Sequence, residues 1–314
     1  MIEVALLGCG GGMPMPERYL SALLLNYGGR KILVDCGEGT QVSMRLLGWG
    51  FKTIDVICIT HGHGDHIVGL PGLLSTIGNS GRTEMLTIIG PEGIEDIVKG
   101  LRVIAPYLPY EINIIEDPSN VINIGISKGA LQVEDKMAEV EIKALAVDHS
   151  APCLSYSFYV KRRPKFDASK AAANNVPKVI WNKLQKIGAI EHEGILFTPD
   201  MVLGDERAGI KISFVTDTRP TEEIPEFIKE SDLFICEGTY GAEEDLDKAI
   251  KNKHMTFREA ADLARMGQVK ELLLTHFSPV MQVPELYRNN AESIFPFVTI
   301  GQDRLVKSIS FRDE

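Results

Sequence analysis

An α/β fold with its functional side chains gathered along one rim is predicted from three features of this sequence. Apolar runs of strand length alternate with helical stretches and with Gly- and Pro-marked turns, before residue 160 and again after residue 209. Ligand-type residues recur at the carboxyl ends of those runs: Asp35, His61, Asp148-His149, Asp217, Glu237 and His276. A chain of 314 residues, 44% hydrophobic and 24% charged, also has the apolar content for a large core.

Residues 3–8 read as a strand, followed by a loop from Cys9 to Arg18 that is too rich in Gly and Pro for helix or strand. Such a loop can bring backbone N–H groups to a phosphate, with Arg18 adding a charge-assisted contact. A plain hairpin connection explains it equally well. Residues 20–25 and 31–35 form a strand pair around Asn26-Tyr27-Gly28-Gly29-Arg30, and a helix follows to about Leu47. Asp35 closes its strand at the expected rim, where it either orients a ligand imidazole or begins the helix.

The densest signal is His61-Gly62-His63-Gly64-Asp65-His66, between the apolar run 54–60 and residues 67–74, where a helix can begin. If the strand ends near Thr60, a period of two sends His61 and His63 to one side, while Asp65 and His66 sit on the turn opening the helix. The two glycines remove side chains from the gap and let the backbone bend. Neutral imidazole and carboxylate are the usual ligands of catalytic zinc, and four of them together can hold parts of two metal spheres. A solvated polar turn is the bland alternative, but three of the chain's seven histidines fall within these six residues.

Residues 85–145 read as strand, helix and then several strands, with Gly90-Pro91-Glu92-Gly93 starting the helix and residues 116–129 as turns. Residues 139–147 alternate over their first half and end in Asp148-His149-Ser150, which makes His149 a further candidate ligand at a strand end. Residues 161–208 break the rhythm. Lys161, Arg162, Arg163, Lys165, Lys170, Lys178, Lys183 and Lys186 crowd a stretch whose first 26 residues hold one acid, Asp167. On a chain of net charge -10 that reversal marks a basic arm suited to an anionic polymer, with Phe166 and Trp181 as stacking surfaces; a solvated insertion without a partner is the alternative. From residue 209 the alternation resumes, with strands at 211–216, 232–236 and 271–275 and a helix over 256–266. The arm therefore interrupts one domain rather than separating two.

The five cysteines are scattered and form no C-x-x-C pair, so free buried thiols are expected and a thiolate metal site is not. The N-terminus lacks a basic region followed by a long apolar one, and no apolar run approaches the roughly 18 residues of a membrane span. A cytoplasmic protein without a membrane partner is expected.

His-x-His-x-Asp-His after an apolar strand resembles the defining motif of the metallo-β-lactamase superfamily, whose fold is a four-layer αββα sandwich with the site at one edge of the two sheets. Further residues resemble the ribonuclease Z family nearly end to end: Leu7-Gly8 with its glycine loop, Asp35-Cys36-Gly37-Glu38-Gly39-Thr40-Gln41, Gly69-Leu70-Pro71-Gly72, Asp148-His149, Asp217-Thr218-Arg219-Pro220, Glu237-Gly238-Thr239, His254-Met255-Thr256 and Leu274-Thr275-His276-Phe277-Ser278. Only His192 among the histidines falls outside this set. The resemblance implies a single domain over residues 1–314 with an inserted, substrate-gripping arm at 161–208. It also implies an endonuclease that trims the 3′ end of precursor tRNA, leaving a 3′-hydroxyl, and that works as a homodimer with two zinc ions per subunit; the same donors accept manganese or iron. By that resemblance His61, His63, His149 and Asp217 hold one ion, and Asp65, His66, Asp217 and His276 the other. Asp65 would take the proton of the attacking water, and His254, oriented by Glu237, would serve the departing oxygen. Thr216, Cys236, Gly238 and Ser278-Pro279-Val280 depart from residues common in the family. The same ligands would serve a hydrolase of a small phosphodiester, sulfate ester or lactone, which needs no arm, or a metal-stabilised RNA-binding protein.

Overall fold

The computed structural model describes residues 1–127, 129–133 and 138–312. Its strands in chain order are β1 (Ile2–Gly8), β2 (Ala22–Tyr27), β3 (Arg30–Val34), β4 (Ile54–Cys58), β5 (Leu86–Gly90), β6 (Ile112–Glu116), β7 (Ile122–Ser127), β8 (Ala130–Val133), β9 (Val140–Ala146) and β10 (Leu154–Arg162). There follow β11 (Ile190–His192), β12 (Ile195–Phe197), β13 (Arg207–Val215), β14 (Leu233–Glu237), β15 (Leu272–Thr275), β16 (Val298–Ile300) and β17 (Leu305–Ile309). One sheet has the order β17-β1-β2-β3-β4-β5-β6 and a second the order β16-β15-β14-β13-β10-β9-β7-β8. Within them β3 to β6 pair in parallel, as do β13 to β16, so each run brings several strand carboxyl ends to one edge.

The two compact units of the chain are residues 1–160 with 210–310, and residues 161–209 with the chain end from 311. In the larger, α1 (Thr40–Leu47), α2 (Gly64–Ile67), α3 (Leu70–Asn79) and α4 (Ile94–Leu101) cover the first sheet. Met44, Leu70, Leu73, Leu74, Ile77, Ile94 and Val98 from these helices bury against Leu7, Leu24, Leu33, Ile57 and Ile88. Every residue of β4 is buried, as befits a central strand covered on both faces. The second sheet is covered in turn by a helix over Phe257–Met266, which presents Phe257, Ala260, Ala261, Leu263 and Ala264 inward. The layers are therefore helix, sheet, sheet, helix, the αββα sandwich expected from the sequence.

Asp55 ties the two sheets together. The register between β3 and β4 slips there, Lys31 facing Ile54 and Ile32 facing Val56, so Asp55 is the extra residue of a bulge. Its buried carboxylate accepts from Arg30 Nε at 2.6 Å, from Arg82 Nη1 at 2.7 Å and from the Leu131 N–H of the second sheet at 2.8 Å. Arg82 is wholly buried and spends its remaining donors on the carbonyls of Lys52, Glu84 and Met85. Four of the five N–H donors of this buried cation are thereby placed.

The smaller unit holds helices over Ala168–Ala173 and Trp181–Ile187 and the β11–β12 hairpin. Ala171, Val176, Ile180, Leu184, Phe197 and Val202 form its own core. Ile190 to Phe197 close a hairpin whose three-residue strands are too short to show alternation. One expectation is corrected here. Phe166 and Trp181 are not free stacking platforms: their rings meet at 4.9 Å and pack on that core. Lys165, Lys170, Lys178 and Lys183 are exposed, while the Lys186 side chain lies outside the described residues.

A second correction concerns part of residues 116–129, expected as turns. Ile122, Ile124 and Ile126 alternate there, Ile124 is fully buried, and residues 122–127 are β7; the alternation is present, but the turn-forming Asn and Gly between the isoleucines favour a turn reading. The strand expected over 54–60 also stops at Cys58. Among the described residues, no helix is long and apolar enough to cross a membrane, and the five cysteines are buried free thiols.

Asp55→Ala strands the buried Arg82 cation. We expect a loss of roughly 3–5 kcal/mol, the range for removing one partner of a buried pair. Urea unfolding followed by circular dichroism reads it as a lower midpoint.

Candidate metal centre

Each site residue sits at or just beyond a strand end or helix start, and three of them leave their strands through left-handed backbone. Asp35 follows β3 at φ 59°, Asp217 follows β13 at φ 50° and His276 follows β15 at φ 57°. Such positions cost on the order of 1–3 kcal/mol each for a residue with a Cβ, and they turn the side chain off the sheet edge. His61 comes shortly after the end of β4, and Asp65 and His66 lie in the first turn of α2. His61 and His63 do not owe their proximity to strand period, since β4 has already ended; a bend through Gly62 brings their rings to 4.5 Å.

Six histidines and two aspartates converge as a result. His66 Nε2 lies 3.1 Å from His276 Nε2, 3.3 Å from Asp217 Oδ1 and 3.6 Å from Asp65 Oδ2. His276 Nε2 is 3.2 Å from Asp217 Oδ1 and 3.4 Å from Asp65 Oδ2. On the other side of Asp217, its Oδ2 is 3.7 Å from His61 Nε2 and 3.8 Å from His149 Nε2, which in turn is 3.2 Å from His63 Nδ1. Asp217 thus shares one oxygen with each group.

Outer hydrogen bonds decide which ring nitrogens face inward. Asp35, fully buried, meets His66 Nδ1 at 2.7 Å, and Thr60 Oγ1 approaches both Asp35 oxygens and His61 Nδ1. Thr239 Oγ1 stands 3.0 Å from His276 Nδ1 and donates to Glu237 Oε2 at 2.6 Å. His149 Nδ1 donates to the Lys253 carbonyl at 3.3 Å. With Nδ1–H occupied in each case, Nε2 turns a lone pair to the centre. Gly12 N–H holds Asp65 Oδ2 at 2.6 Å, and Thr216 Oγ1 holds Asp217 Oδ1 at 2.7 Å.

Lone pairs and carboxylates packed this closely demand positive charge at their centre. His61 Nε2 is buried with no hydrogen-bond partner, and burial together with the neighbouring His66 pulls the pKa of this imidazole down to about 2. Burial also works against a charge on His66, yet the Asp217 and Asp35 carboxylates raise its pKa well above the usual value. Burial would lift Asp217, but His276 and His66 hold it well below the ordinary carboxylate range. The triads His61/His63/His149, His61/His66/Asp217 and Asp65/His66/His276 each keep their donor atoms within 4.8 Å of one another. Nitrogen and oxygen donors in this arrangement fit a divalent metal cofactor.

His254 is engaged by a different acid. Its Nδ1 faces Glu237 Oε2 at 3.1 Å, while Asp217 Oδ2 is 3.9 Å away, so this nitrogen serves the glutamate and Nε2 is left for the cleft. Burial lowers the His254 pKa, but the charge and hydrogen bond of Glu237 outweigh it and raise it to about 9. Glu237 is fully buried and also accepts from Thr218 N–H at 2.7 Å and Met255 N–H at 3.0 Å. Arg219 donates to the His254 carbonyl and to Glu259, whose other role is to cap the helix that begins at Phe257. His63, Asp65, His149, Asp217, His254 and His276 open onto a cleft of about 480 Å³.

All ten side chains singled out from the sequence meet here: Asp35, His61, His63, Asp65, His66, His149, Asp217, Glu237, His254 and His276. His192 lies in the smaller unit's hairpin. Arg18 is a correction: its guanidinium is spent on the carbonyls of Ser278, Met281 and Gln282. Thr60 and Thr239 carry no role that sequence alone reveals, although each lies within two residues of a recognised acid or histidine. Two departures from the family's common residues also find a reason. Thr216 supports Asp217, and a Cβ at position 238 would come within 2.6 Å of the Phe257 ring, which leaves room only for Gly238.

Comparison with known proteins places this geometry in a family. Residues 2–201 match the family model described as Anti-Pycsar protein Apyc1. Ribonuclease Z of Clostridium beijerinckii is 62% identical over 315 residues, covering 100% of both chains, and that of Clostridium tetani 60% identical over 313 residues with the same coverage. Among solved structures, the short form of human tRNase Z has a TM-score of 0.67 at 25% identity, covering 98% of this chain and 100% of that one. The metallo-β-lactamase fold protein YhfI of Bacillus subtilis gives 0.68 at 20% identity over 98% of each chain, a likeness of fold. With a metallo-β-lactamase fold, a match to the Apyc1 model over residues 2–201 and relatives matched end to end, this chain belongs to the ribonuclease Z family.

Proposed function

We propose that this protein is a metal-dependent endoribonuclease that cuts precursor tRNA after the 3′ end of the mature sequence and leaves a 3′-hydroxyl on the tRNA. The observation that carries the reading is end-to-end identity of up to 62% with ribonuclease Z in a chain whose inward-facing donors, on histidines and aspartates, gather within bonding reach of a common centre. His61, His63, His149 and Asp217 would hold one zinc ion, and Asp65, His66, Asp217 and His276 a second. When bound, the pair supplies a water acidified toward neutral pH and positive charge for the phosphoryl oxygens. The chain's own groups handle the protons. The attacking water bonds to phosphorus and yields its proton to the Asp65 carboxylate, which Gly12 N–H orients. As the bond from phosphorus to the 3′ oxygen breaks, His254 Nε2–H protonates that oxygen, and Glu237 keeps the imidazole charged and aimed.

The reading extends to substrate grip. Residues 161–208 form an inserted arm whose exposed Lys165, Lys170, Lys178 and Lys183 bind phosphates of the tRNA, and the working form is a homodimer in the cytoplasm. Sedimentation or light scattering of the purified protein at assay concentration reads the dimer directly.

Incubation of the purified, metal-loaded protein with a precursor tRNA should give one cut after the discriminator nucleotide. A folded, metal-loaded protein that leaves the precursor intact overturns the assignment. His63→Ala should lose one equivalent of metal and the cleavage activity together, read by elemental analysis beside the assay. His254→Ala should keep both metals yet slow the chemical step by about 10²–10⁴-fold, the range for a general acid; full single-turnover rate in this variant removes the role given to His254. Replacing Lys165, Lys178 and Lys183 by Gln should flatten the dependence of log affinity on log salt by about 0.7–0.9 for each phosphate that a lysine no longer neutralises. A hydrolase of small phosphodiesters would show no change.

A further inference from the structure

We propose that Asp303, near the far end of the chain, is a positioning residue that clasps both stems of the Cys9–Tyr19 loop and so fixes Asp65 and His276 in the candidate metal centre. Its side chain is 2% exposed and reaches the two loop ends at once: Oδ1 accepts from Cys9 N–H at 3.0 Å and from the Cys9 thiol at 3.2 Å, while Oδ2 accepts from Tyr19 N–H at 2.7 Å. The loop closes on itself above this carboxylate, Gly10 N–H donating to the Tyr19 carbonyl at 2.8 Å. Its tip then touches the centre in two places. Gly12 N–H donates to the Asp65 oxygen that faces His66 and His276, and Gly11 backbone lies so close to the His276 ring that a Cβ there would penetrate it.

Asp303 is held where the chain crosses from β16 in one sheet to β17 in the other. Gly301 N–H donates to the Leu274 carbonyl at 2.8 Å and Arg304 N–H to the Leu6 carbonyl at 2.6 Å, so the crossover is anchored to β15 on one side and β1 on the other. The strand that ends in His276 and the loop that contacts Asp65 are thereby fixed by one short segment. Among the described residues, the loop's contacts with the cluster fall on Asp65 and His276, in the donor group that also contains His66. Loosening it should weaken one cation and spare the other.

This inference rests on the two-cation reading above. The test is Asp303→Asn, nearly the same shape, which sets an amide N–H against the N–H of Cys9 or Tyr19. Glu271→Gln is the structural control, since Glu271 receives Thr299 Oγ1 at 2.8 Å and Lys307 Nζ across the same β16–β17 crossover without touching the loop. Zinc titration against a competing chelator, melting temperature, and kcat and KM on precursor tRNA are measured for all three proteins. We expect Asp303→Asn to weaken one of the two zinc affinities at least tenfold, to leave the other within twofold, and to lower kcat about tenfold with KM within twofold. Glu271→Gln should lose melting temperature while both affinities stay at wild-type values. Wild-type affinities at both sites in Asp303→Asn, or the same one-site loss in Glu271→Gln, overturns the proposal. Should Asp303→Asn not fold, Asp303→Ser, which brings no opposing donor, is expected to show the same one-site loss, and its absence is equally fatal. A wild type that binds no pair of zinc ions overturns the two-cation reading itself, and this inference with it.

Discussion

Electrostatic crowding at the rim is the constraint on which the rest of the structure depends. Four carboxylates, those of Asp35, Asp65, Asp217 and Glu237, lie among six imidazoles, and Asp35, Glu237 and His61 are cut off from water. A cluster of this kind is costly to bury unless positive charge enters it and each outward-facing nitrogen has a partner. The fold meets the second requirement with Asp35, Thr60, Thr239, Glu237 and the Lys253 carbonyl. The first is left to a divalent metal, and the inward lone pairs are arranged for it.

Two parallel runs of strands make the arrangement feasible. They bring the ends of β3, β4, β13, β14 and β15 to the same rim, and left-handed backbone at Asp35, Asp217 and His276 swings those side chains away from the sheet. The strain is tolerated because rigid layers surround it. Asp55 and Arg82 lock the first sheet to the second from below, and the loop from Cys9 to Tyr19 closes over the cluster from the side. Stability and chemistry are thus built by different residues at opposite ends of the same strands.

Much of this could be read from the amino acids alone. The alternation of apolar runs with Gly and Pro marks most strands, and histidines or acids at their ends name the side chains that prove to be neighbours. Legibility fails where partnership runs through backbone atoms or across great separation. Nothing in Gly12 announces that its N–H holds Asp65, and nothing in Asp303 that it binds residues 9 and 19. β7 escapes notice because Asn123 and Gly125 are turn-forming residues that outweigh the alternation they take part in, and the β11–β12 hairpin because three residues are too few to display a period. Phe166 and Trp181 show the opposite error, in which aromatic character suggests a ligand and packing in a small core is the stronger demand.

The spread of the cluster along the chain has a consequence for the protein's birth. His61 leaves the ribosome before Asp217, and His276 and Asp303 follow later still. A growing chain can therefore assemble much of the first sheet and its helices long before it holds every inward-facing donor of the rim. A chain that stops between residues 66 and 276 carries part of the donor set and lacks the rest.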